Sequence, residues 1–224
     1  MEKEQEIIKL LKEKSSTKQK VYRKTKEVFI MLQELLSKKA ERLNSLMQKH
    51  DKDLDVVYSS RGVFDAQLKF SGETLLFHMH SNIFDFHSEH PIHKTDYVKE
   101  DRLRSFCGVI HIYNFLSDSL KYHRLNDEAF LLARIFINKD EHFFVEGEKQ
   151  LGFMFSDFVN QNIDLNQIEN IVNTAMIFAL NDDILTPHMK EIQVVHMHQI
   201  LSMSNNQKIK TAKRLGYRFS HDKK

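Results

Sequence analysis

From Val21 onward the apolar residues Val28, Leu32, Leu35, Leu36, Leu43, Leu46 and Met47 recur at steps of three, four and seven. That spacing gathers them on one stripe and predicts a long helix ending near Lys49. Upstream, Ile7, Ile8, Leu10 and Leu11 form a shorter amphipathic stretch. Between the two lies Ser15-Ser16-Thr17, whose hydroxyls are suited to breaking one helix and capping the next, or to bending a single one. Residues 1–17 are therefore read as a segment that contacts a partner, and the longer helix as one that packs on its own domain.

After Lys52 the hydrophobic period changes from that of a helix to that of strands. Leu54 to Ser59 and Val63 to Phe70 flank Ser60-Arg61-Gly62, and Ser71-Gly72 joins the second to a strand from Glu73 to about Phe86. The two glycine-bearing turns predict an antiparallel meander. Phe64, Ala66, Leu68 and Phe70 alternate with Asp65, Gln67 and Lys69, the pattern of a sheet with one face on a core. Further strands are expected at Gly108–Leu116, Ala129–Asn138 and His142–Glu146, giving about five or six.

The helical period then returns. Asp164 and Gln167 make a capping-box-like start for Leu165–Leu180, and Thr186-Pro187 starts a last helix to about Met203. The expected fold class is α+β: a long N-terminal helix, an antiparallel sheet and two C-terminal helices. A single domain is assigned to residues 18–204, followed by a basic tail at 205–224.

Composition supports a folded chain. Of 224 residues 41% are hydrophobic, seventeen are Phe, and Gly and Pro number only six and two, which argues against disordered and collagen-like classes. The single Cys107 allows no internal disulfide, and the first residues lack an apolar signal core; both point to a cytoplasmic protein. No apolar run has the length of a membrane span, so no membrane association is expected.

A net charge of +2 hides a segregation. Residues 1–52 carry fourteen Lys/Arg against eight Asp/Glu, residues 205–224 carry seven against one, and the middle is acidic by ten charges. Basic ends attract a polyanion, the acidic body or a second copy of it. In the tail, Lys208, Lys210, Lys213, Arg214 and Arg218 are interleaved with Tyr217 and Phe219. That mixture suits nucleic acid or ribosome contact, with cations on phosphates and rings on bases.

Five of thirteen histidines fall at His78, His80, His87, His90 and His93. Neutral imidazole ligates transition metals and titrates near neutrality. On a strand His78 and His80 share a face, making them candidate ligands for a divalent transition metal, with a third group from residues 85–93, Asp85 and Glu89 included. His196 and His198 lie two apart on a predicted helix and point away from each other. Asp65-Ala-Gln67-Leu-Lys69 partly resembles the acid-X-Lys end of a metal-dependent nuclease site, but departs from it at Gln67, where a carboxylate belongs. No phosphate-binding glycine loop, nucleophile elbow, His-Glu-X-X-His or paired cysteine is present. Cys107, before Gly108 at a strand entrance, is read as a small apolar residue more than a nucleophile. The preferred function is a non-catalytic binding or adaptor protein that contacts a macromolecular partner, or itself, through its first helix and basic ends. The alternative is a histidine-dependent metal-binding enzyme or sensor.

Overall fold

The computed structural model describes residues 2–122 and 127–183. The first helix, Glu2–Leu10 (α1), runs through a π-helical turn at Leu11–Ser15 into Ser16–Met47 (α2). Ser15 keeps helical angles and its side chain caps nothing, so the expected interruption at Ser15-Ser16-Thr17 is absent. Serine and threonine disfavour a helix interior by only a few tenths of a kcal/mol, up to about 0.7, and continuous backbone bonding on both sides outweighs that. The chain widens by a π turn there instead of breaking. The α2 stripe buries Val21, Val28, Phe29, Leu32, Leu35, Leu36 and Ala40, while Leu46 at its end is exposed.

Six strands follow in sequence order as one antiparallel meander: β1 Val56–Ser59, β2 Asp65–Phe70, β3 Glu73–Met79, β4 Cys107–Leu116, β5 Phe130–Asn138 and β6 Phe143–Gly147. Alternation sends Ala66, Leu68, Leu75, Phe77, Ile110, Ile112, Ile135 and Val145 to the face covered by α2 and by α6, Leu165–Leu180. The α6 start is as expected, with the Asp164 carboxylate accepting the Gln167 N–H at 2.7 Å. Where α2 crosses β4 the approach is so close that a Cβ on Gly108 would lie 2.1 Å from Thr25 Oγ1. At the β2–β3 turn it is Ser71, with φ 56°, that takes the left-handed conformation expected of its neighbouring glycine, whereas Gly62 does adopt φ 113°.

The third strand is shorter than expected. It ends at Met79, and the chain returns to the sheet only at a bridge between Phe84 and Cys107. The excursion from residue 84 to 106 folds as a 3-10 turn Pro91–Lys94, a short helix α3 (Asp96–Glu100) and a second 3-10 turn Arg102–Ser105. None exceeds five residues, too short for a helical period to show in the sequence. The excursion covers one end of the other sheet face, where Ile92, Val98, Cys107, Val109, Phe136, Phe144 and Phe158 form a second core. Short helices α4 (Ser117–Lys121) and α5 (Gln150–Met154) complete the elements before α6. Among the described residues no helix is long and apolar enough to cross a membrane. The helix expected from Thr186 to Met203 lies outside the described residues, as do the basic tail and its candidates Lys208, Lys210, Lys213, Arg214, Tyr217 and Arg218.

Candidate functional site

The sheet face away from α2 carries a row of polar side chains. Asp65 on β2 pairs with His78 on β3, His78 with His111 on β4, His111 with Arg134 on β5, and Arg134 with Glu146 on β6. Directly opposed residues on neighbouring strands share a face, so five titratable groups stand side by side across five strands, a row about 19 Å long at the usual strand spacing. The second core, with Phe136 and Phe144, closes one side of the row. Gln67, Leu76 and Tyr113 lie on the other, the next positions along their strands.

Hydrogen bonds decide what each ring offers. His78 Nδ1 donates to Asp65 Oδ1 at 2.6 Å; a carboxylate only accepts, so the neutral His78 ring keeps its lone pair on Nε2. The ring of His111 lies nearly parallel to that of His78, centroids 6.4 Å apart at 13°. Its Nδ1 is buried without a partner. A proton there would be a buried unpaired donor, so Nε2 is the better place for it, where it can donate to the open face. Burial first, then the neighbouring His78, Arg134 and His80, lowers the pKa of His111, which favours the neutral ring. The two imidazoles are therefore complementary: one presents an acceptor, the other a donor.

At the far end Arg134 forms an ion pair with Glu146, and its guanidinium carbon stands 5.3 Å from the Phe136 ring centroid. His90 Nε2 lies 3.7 Å from the other Glu146 oxygen. Both carboxylates of the row are thus engaged, Asp65 by His78 and Glu146 by Arg134. What remains for a ligand is the His78 acceptor, the His111 donor and the spare N–H groups of Arg134.

The five clustered histidines do not gather. His78 and His80 share the face as expected, but His80 Nδ1 accepts the Asn82 N–H at 3.0 Å and its ring packs edge-on to Phe84. His90 Nδ1 accepts from Ile92 N and the ring stacks on Phe86. A neutral ring that accepts at Nδ1 carries its proton on Nε2 and has no lone pair left there for a metal. His93 Nε2 donates to the Phe86 carbonyl at 3.1 Å, and the His87 side chain is exposed. Among the described residues no three His, Cys, Asp or Glu side chains are grouped to hold a metal ion. Lys69 is drawn to Asp55 at 2.9 Å. Cys107 is fully buried, and burial followed by the Asp85 charge pushes its thiol pKa well up.

His111, Arg134 and Glu146 were not among the residues singled out from sequence. Asp65 opposite His78 was within reach, because a two-residue turn at Ser71-Gly72 imposes that register. The long excursion between β3 and β4 hides the rest. Comparison with protein-family models, with curated proteins and with solved structures found no match for this chain.

Proposed function

We propose that the chain is a binding protein whose open sheet face receives a small oxyanion that retains one hydroxyl, of the hydrogen phosphate or phosphomonoester kind. The supporting observation is the setting of two adjacent rings, His78 hydrogen-bonded to Asp65 through Nδ1 and His111 with its Nδ1 buried and unpaired, which favours opposite tautomers in the two. The ligand hydroxyl donates to His78 Nε2. Its anionic oxygens accept from His111 Nε2 and from Arg134, a charge-assisted contact. Phe84, partly exposed beside His80, offers an apolar surface for an organic substituent. In this reading the protein works in the cytoplasm, and it contacts a protein partner or itself through the first helix and nucleic acid through the basic ends.

Isothermal titration with inorganic phosphate and with sulfate tests the site. Sulfate has the same shape and no hydroxyl at neutral pH, so phosphate is expected to bind about tenfold or more tightly, since a site built for a hydroxyl leaves its acceptor unpaired with the analogue. Arg134→Gln should weaken both anions, and His78→Phe should abolish the preference. Equal binding of the two anions by the wild type would refute the hydroxyl assignment; no binding of either would refute the site.

A further inference from the structure

Among the described residues, the first helix makes no contact that buries any of its side chains. Ile7, Ile8, Leu10 and Leu11 are 57%, 44%, 51% and 57% exposed, an apolar stripe that water solvates at a cost. The body resumes further on, where Lys14 and Lys18 stand 5.5 and 5.1 Å from the Phe106 ring centroid. This narrows the reading of the first helix as a contact surface, on which it rests: we infer that the occupant of the stripe is the same helix of a second copy, running antiparallel.

The charges carry the choice. The leading half holds Glu2, Glu4 and Glu6 against Lys3, and the trailing half Lys9, Lys12 and Lys14 against Glu13. Parallel copies would set acid on acid and base on base. Antiparallel copies centred on residue 9 bring the Ile7, Ile8, Leu10 and Leu11 stripes of the two copies together, and the same register brings Glu4 and Glu6 of each copy to the level of Lys12 and Lys14 of the other. Apolar contacts fall at the middle and opposite charges flank them on both sides, as in helix pairs where flanking charges choose orientation. Lys9 sits at the centre of this register but on the helix face opposite the stripe, so its ammonium extends into water. The two-fold is closed, so association stops at a dimer.

Sedimentation equilibrium of the full chain over a wide concentration range reads the result. The wild type should show a monomer–dimer equilibrium. Leu11→Glu should weaken it by about tenfold or more, as expected for a charge in the apolar centre. A chain with Glu4→Lys and Glu6→Lys should fail to pair with itself, as should one with Lys12→Glu and Lys14→Glu, while an equimolar mixture of the two should dimerise. All these side chains are exposed, and Lys14 also stands over the Phe106 ring, so unchanged circular dichroism and melting are needed to confirm that the body folds. A wild type that stays monomeric at every concentration overturns the pairing but not the contact-surface reading. A dimer indifferent to every one of these substitutions overturns both.

Discussion

His111 shows how one side chain is set by its surroundings. Burial, then His78, Arg134 and His80, all disfavour its imidazolium, and Tyr113 is its aromatic neighbour on the same strand. A histidine with a lowered folded pKa binds fewer protons folded than unfolded. Its contribution to stability is therefore complete above the ordinary value of about 6.5 and declines as pH falls from there to the lowered value, levelling off below. Urea denaturation at pH 8 and pH 5 should show the wild type losing more stability on acidification than His111→Leu; equal losses would contradict the assignment. In the proposed complex, an anion that favours the imidazolium would by linkage raise the pKa of His111. Cys107 gives a second expectation at this scale. Buried with a raised pKa, it should resist iodoacetamide in the native protein and react promptly once unfolded in guanidinium. Fast native alkylation would show that the second core is open.

At the level of elements, α2 crosses β4 so closely that a Cβ on Gly108 would lie 2.1 Å from Thr25 Oγ1. Gly108→Ala drives a methyl into Thr25 on a helix that cannot yield locally, so a cost toward the upper end of 1–3 kcal/mol, roughly, is expected. Thr25→Gly removes the obstacle at the expense of about 0.3 kcal/mol of helix propensity, because threonine is itself a poor helix former. The double variant should be less destabilised than the sum of the singles; strict additivity in a double-mutant cycle would place the two residues apart. Leu36, fully buried, should cost about 2–5 kcal/mol on replacement by alanine. This layer of structure was largely legible in the residues. The α2 stripe, the strand alternation and the α6 cap are local patterns, and α6 spans the expected residues. The continuous α1–α2 junction was not, because serine hydroxyls signal a cap only when the backbone has no better partner. The excursion from 84 to 106 was hidden by its brevity, and with it the second core.

For the whole molecule, the sheet gathers chemistry that no segment holds alone. Each member of the Asp65, His78, His111, Arg134 and Glu146 row comes from a different strand. Histidine density drew the sequence reading toward residues 78–93, yet three of those rings serve local purposes: His80 closes a turn, His90 caps a 3-10 turn and His93 holds the Phe86 carbonyl. The site is made by register, a long-range property that composition does not encode. Its two central rings are what the account depends on. Long-range nitrogen–proton correlation of the histidine side chains near neutral pH tests this most directly, since it reports which ring nitrogen carries the proton. His78 should carry its proton on Nδ1 and His111 on Nε2, and phosphate should perturb both rings more than sulfate at the same concentration. Identical tautomers in the two rings, or rings that ignore phosphate while the protein stays folded, would contradict it.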